Sequence, residues 1–125
     1  MRRLPLILLP LLVLATACAN SSAIRDASPD ELHAALGKPD TLVVDLREAL
    51  SLGNDMRFLP GALQIPLTTL SQNLNQLPKE RNIYLLAPDR AQAIKAANLL
   101  TQAGYAFVFR VEGGLDAYLA KYPLQ

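Results

Sequence analysis

"NIYLLAPDRAQAIKAANLLTQAGYAFVFRV", residues 82 to 111, decides the fold. "NIYLL" and "AFVFRV" are short apolar runs rich in β-branched and aromatic residues, which predicts buried strands. Between them "DRAQAIKAANLLTQAG" has the length and composition of a helix, stopped by Gly104. A strand, a helix and a further strand within about 30 residues make a βαβ unit, the building block of a parallel sheet. Tyr84, Phe107 and Phe109 fall on the strand segments and are expected in the core.

The same grammar continues upstream. "SPDELHAALG" sets Ser28 as N-cap, Pro29 in the first turn, Glu31 to close a capping box, Leu32, Ala35 and Leu36 on one face, and Gly37 as the stop. "TLVVDL" (41–46) is an apolar, β-branched run suited to a strand covered on both faces. "LREALSLGNDMRFLPGA" follows as a long connection with turn signals at Gly53, Asn54, Pro60 and Gly61. Then come "LQIPL" as a brief strand, "TTLSQNLNQL" with Leu70, Leu74 and Leu77 at helical spacing, and, after Gly113 and Gly114, "LDAYLAKY" as a last helix. The expected fold is α/β: one small domain over residues 28–125, an open parallel sheet with helices on both faces. Such sheets keep their functional crevice beyond the carboxyl ends of the strands, where Asp45, Arg47, the turn 87–93 and Arg110 to Gly114 should gather. His33, the only histidine, has no metal or nucleophile partner near it in sequence and is expected to be solvated or half-buried.

The amino terminus follows other rules. Met1, Arg2 and Arg3 precede "LPLILLPLLVLATA", an apolar run broken by Pro5 and Pro10 and shorter than the roughly 20 residues of a spanning helix. Residues 1–17 are therefore expected to be a secretory signal peptide. Cys18, the only cysteine, stands at the predicted cut in "LATAC", which resembles a bacterial lipobox; "ATA" also fits ordinary signal-peptidase cleavage, giving a soluble periplasmic product. In the lipobox reading Cys18 is lipidated and anchors the chain to the bacterial cell envelope, facing the periplasm. Ala19 differs there from the aspartate associated with inner-membrane retention, which tilts the anchor toward the outer membrane. Residues 18–27 are then a lipidated cysteine and a flexible tether. Cleavage removes Arg2 and Arg3 from the 12 basic residues and none of the 11 acidic ones, leaving a net charge of −1 and no call for nucleic acid. One cysteine excludes an intrachain disulfide, an iron–sulfur cluster and a cysteine-based zinc site, and no cofactor or metal is expected.

Four motifs in order carry a resemblance: "VVDLRE", "FLPGALQIPL", "AGY" and "VEGGLDAY". Over residues 28–122 the chain resembles a rhodanese-like domain, of the short single-domain periplasmic sulfurtransferase type related to phage shock protein E. That resemblance implies a strand-to-helix loop whose first residue is a nucleophilic cysteine, carrying sulfur as a persulfide held by converging backbone amides. A thiolate at a helix N-terminus has a lowered pKa, and amides there hold an anion. Counting from Ile83 and back from Gly104-Tyr105 puts that cysteine at Ala87, the loop glycine at Arg90, the loop arginine at Ala91 and the final small residue at Ala93. A register that matches Arg90 to the loop arginine moves the cysteine to Leu85, and neither restores a thiol. Phe58 stands where the family has a histidine before "LPGA", and the connection from Arg47 to Phe58 is about three residues longer than usual, a change that loops tolerate. Asp45 and Arg47 match the family's pair.

Methyl groups cannot hold or pass on a sulfane sulfur, so the family's reaction should be absent. Pro88 removes an amide from the turn and no glycine remains in it. Asp89 with Gln92 is a capping-box pattern, and its carboxylate either plugs the old anion site or simply starts the helix. Arg90 either lines the crevice and, with Arg47 or Arg110, holds an anionic ligand through bidentate contacts, or, as favoured here, is a solvated surface arginine. Asp45 is a general base or, as favoured here, a structural acceptor for the neighbouring loop. The expected role is that of a catalytically inactive envelope lipoprotein acting as a binding or accessory module toward an envelope protein or a small anion. The alternatives are a thiosulfate-type sulfurtransferase with an atypical nucleophile and a structural accessory without a pocket.

Overall fold

The computed structural model describes residues 24–48, 55 and 57–125; the expected signal peptide, Cys18 and the turn expected at Gly53-Asn54 lie outside them. The elements in chain order are β1 (Ile24–Ala27), α1 (Pro29–Ala35), β2 (Thr41–Asp45), β3 (Leu63–Gln64), two 3₁₀ helices (Leu67–Gln72 and Leu74–Gln76), β4 (Asn82–Leu86), α2 (Arg90–Gln102), β5 (Val108–Val111) and α3 (Gly114–Lys121). The five strands form one sheet in the order β1-β5-β4-β2-β3, with every pairing parallel.

Successive strand residues point to opposite faces, so each strand feeds two cores. Val44, Ile83, Leu85 and Val108 pack under α2 and the 3₁₀ segment, against Ala93, Ala96, Ala97 and Leu100. The alanines matter because a helix face without long side chains lies close on the sheet. On the other face Val43, Tyr84, Leu86 and Val111 meet Leu32 of α1 and Leu115 and Tyr118 of α3. The single α/β domain with helices on both faces is as the sequence predicts.

Three details differ. The segment expected to be tether down to Ala27 enters the sheet: Ile24–Ala27 pair with Val108–Val111, so the domain begins by Ile24 instead of Ser28. An edge strand is held by backbone pairing and needs little apolar patterning, and only Ala27 of the four residues is buried. "TTLSQNLNQL" is two 3₁₀ helices and not an α-helix. Asn73 separates them, its Nδ2 donating to the Thr69 carbonyl (2.8 Å), a local bond that competes with α-helical pairing. Tyr105 then pins the segment, its hydroxyl placed 2.8 Å from the carbonyl oxygen of Leu74 and 2.6 Å from that of Leu77. Phe107, expected in the core, precedes β5 and is 50% exposed, whereas Tyr84 is buried and stacks on half-buried Phe109 at 4.7 Å.

Candidate functional site at the carboxyl edge of the sheet

β4 ends at Leu86, and the chain turns through Ala87, Pro88 and Asp89 into α2. Ala87 is buried, so its methyl group is part of the wall where the turn begins. Asp89 has extended backbone angles and is the N-cap of α2, its carboxylate accepting from the Gln92 N–H at 2.8 Å. Gln92 Nε2 donates to the other carboxylate oxygen (2.9 Å), so the two side chains bond each other. These bonds, the Gln92 amide first, hold the Asp89 carboxyl below the usual carboxylate range.

Across from the turn, β5 passes into α3 through Glu112, Gly113 and Gly114. Gly114 sits at φ +60°, and a Cβ there would come 2.4 Å from the Ala87 carbonyl oxygen. The close approach of the two connections therefore depends on glycine. Together with Asp26 from β1 they enclose a cavity of about 90 Å³, room for a few waters or one small oxyanion. Asp26 ties its two cations together, at 2.8 Å from Arg110 and 3.4 Å from Arg90. Arg110 is largely covered, and its Nε is buried with no hydrogen-bond partner among the described residues. Arg90 is mostly in solvent.

Asp45, Arg47 and Phe58 belong to a second cluster outside the cavity walls. Asp45 is buried at the end of β2 and accepts from the Arg47 backbone N–H (3.1 Å), Nε (3.0 Å) and Nη2 (2.7 Å). Arg47 Nη2 also donates to the Arg57 carbonyl (2.7 Å), Nη1 lies 3.6 Å from Asp55, and the guanidinium stands 5.6 Å from the centre of the Phe58 ring. The Asp45 hydrogen bonds push the Arg47 pKa further up. Arg57 continues outward to Asp55 and Asp116, each at 2.7 Å, tying the connection to α3. This arrangement engages both Asp45 oxygens in holding the loop after β2, the structural role favoured from sequence.

The structure thus brings Ala87, Asp89 and Arg90 together with Arg110 around one cavity, which Asp45, Arg47 and Phe58 do not line. Asp26 is the lining residue that sequence reasoning missed, because nothing in "IRDA" announces a strand that ends beside Arg110. His33 lies elsewhere, between α1 and α3, where its Nδ1 hydrogen-bonds with the Tyr118 hydroxyl (2.9 Å) and its ring stacks on Tyr122 at 3.8 Å. Among the described residues no group of three or more His, Cys, Asp or Glu side chains is placed to hold a metal, and no helix is long and apolar enough to cross a membrane.

Comparison with known proteins matches residues 28–121 to the family described as the rhodanese-like domain. A sulfurtransferase of Allochromatium vinosum is 30% identical over 79 residues, covering 63% of this chain and 72% of that protein. A tRNA uridine(34) hydroxylase of Yersinia enterocolitica is 29% identical over 98 residues, which are 74% of this chain but only 27% of the relative. Among solved structures, the Alr3790 protein from Anabaena superimposes with a TM-score of 0.67 at 28% identity, covering 75% of this chain and 76% of the other.

Proposed function

We propose that this chain, which belongs to the rhodanese-like domain family, is a binding or accessory module of the bacterial envelope and does not catalyse sulfur transfer. The observation that carries the reading is Ala87. It occupies the strand-to-helix turn, at the position where the family resemblance expects the sulfur-carrying cysteine, and it presents a buried methyl group. Transfer through a persulfide needs a thiolate to take the sulfur and release it, and the only sulfhydryl in the chain is Cys18, six residues before the first strand.

The neighbouring charges support the same reading. The helix N-terminus that would face a bound anion is satisfied by Asp89, and the cavity's two arginines already share Asp26. A small anion entering the cavity has to compete with Asp26 for Arg110. An envelope protein, by contrast, meets the rim from outside, where Asp89, Arg90 and Glu112 are exposed. In this reading Cys18 carries a lipid anchor and the domain faces the periplasm; nucleic acid is not a partner.

The test is a thiosulfate-to-cyanide assay on the full chain. The expected rate equals that of a heat-inactivated control. Turnover clearly above it overturns the inactive reading and favours an atypical nucleophile.

A further inference from the structure

Because all five strands are parallel, their amino ends share one edge of the domain and the cavity occupies the other. The amino edge carries Phe107, the most exposed large apolar side chain among the described residues at 50%. Its carbonyl accepts from the Ile83 N–H at 2.8 Å, which fixes it at the start of β4. Ile24 pairs with Val108, so the chain enters the domain one register position from Phe107. Exposed Lys38 and Arg81 stand just before β2 and β4 on the same edge. Lys79 Nζ lies 5.7 Å from the Tyr105 ring centre, beside the loop that carries Phe107. Asp40 and Glu80 are the acids there, and the Asp40 carboxylate accepts from Asn82 Nδ2 at 3.2 Å. Three cations thus face two acids, whereas the cavity walls set three acids (Asp26, Asp89, Glu112) against two arginines.

We propose that this amino edge is a membrane-contact face. Phe107 seats in the headgroup layer of an anionic phospholipid bilayer, Lys38, Lys79 and Arg81 lie against the lipid phosphates, and the cavity opens away from the membrane. The proposal rests on the anchored reading of Cys18. Six Cα steps separate Cys18 from Ile24, a reach of about 20 Å at full extension, little more than the roughly 17 Å height of a five-residue strand. The edge where the chain enters is therefore the one held nearest the bilayer. A bare aromatic ring gains by leaving water at the interface, and cations within a Debye length of an anionic surface add to that gain. A second copy of the chain is a poorer occupant, because a two-fold contact at Phe107 would bring the cations of both copies together.

The chain contains no tryptophan, so Phe107→Trp introduces a single fluorophore. The full chain with its own amino terminus is reconstituted into phosphatidylethanolamine/phosphatidylglycerol vesicles with and without brominated acyl chains, alongside Glu112→Trp at the cavity rim. The expected result is that both variants float with the vesicles. Emission at position 107 shifts to the blue and is quenched by brominated lipid, that at 112 is not, and adding Lys79→Glu and Arg81→Glu reduces the quenching at 107. Flotation with no quenching at 107, or equal quenching at both positions, overturns the membrane-contact face and leaves the anchor standing. Failure of the full chain to float overturns the anchor and the face together. A blue shift indifferent to brominated lipid, with a doubled particle mass, identifies a second copy as the occupant and also overturns the proposal.

Discussion

Ala87 and Asp89 show how two residues change what a turn can do. In the proposed reading a methyl at position 87 stands where a nucleophile is expected, and the carboxylate of Asp89 accepts from the Gln92 N–H at the helix N-terminus, where an anion would otherwise be stabilised. The Asp89 carboxyl is held below the usual range by the Gln92 bonds, so its stabilising effect is complete above the unfolded-state pKa and is lost as the pH falls through the folded-state pKa. Asp89→Ala should therefore lower the melting temperature at neutral pH, by about 2–6 °C for a lost N-cap in a domain of this size, and the gap to the parent protein should close in acid. Sulfate should then stabilise the variant more than the parent, since the helix end is open to an external anion. Melting curves at neutral and acid pH, with and without sulfate, check both parts; an equal response of the two proteins to sulfate rejects the plug. The strand-to-helix turn that holds Ala87 could be placed by counting along the sequence, because its neighbours lie on regular elements. Asp26 could not, since its place beside Arg110 exists only once β1 has paired with β5.

At the scale of elements, the strong local signals were legible. The capping box at Ser28 and Glu31 is formed in both directions, and β4, α2 and β5 occupy the predicted stretch. Signals were lost where backbone pairing or competing side-chain bonds decide the outcome, as in β1 and the two 3₁₀ helices. Phe107 illustrates a third cause: "AFVFRV" has strand composition throughout, but pairing of β5 begins at Val108 and leaves the preceding ring outside. Contact between the two connections that form the cavity depends on Gly114. Gly114→Ala sets a Cβ 2.4 Å from the Ala87 carbonyl oxygen at a positive φ and should destabilise the domain by about 1–3 kcal/mol. Denaturant titration should show a lower midpoint with an unchanged slope. An unchanged midpoint would mean that the two connections can move apart freely.

At the scale of the whole molecule, the parallel sheet gives the domain two chemically different edges. One receives the chain from its amino-terminal segment and exposes Phe107 among cations; the other carries the cavity and most of the acids around it. The Asp45–Arg47–Arg57–Asp116 chain of contacts joins the long connection after β2 to α3, so that part of the carboxyl edge is braced by charge as well as by packing. The anchored reading predicts that mass spectrometry of the mature protein from bacterial membranes finds an amino terminus at Cys18 carrying diacylglycerol. An unmodified terminus at that position would favour the soluble periplasmic product and would also leave a free thiol.

The sequence by itself determined the fold class, the order of the main elements and the absence of a thiol from the domain, because each follows from local pattern or from simple counting. Tertiary structure alone decided that Asp26 bridges Arg90 and Arg110, that Arg57 reaches Asp116 and that Phe107 faces water. The physical reason is range. Capping and hydrophobic periodicity act within a few residues, whereas these three outcomes depend on segments up to about 80 residues apart meeting at the edges of one sheet.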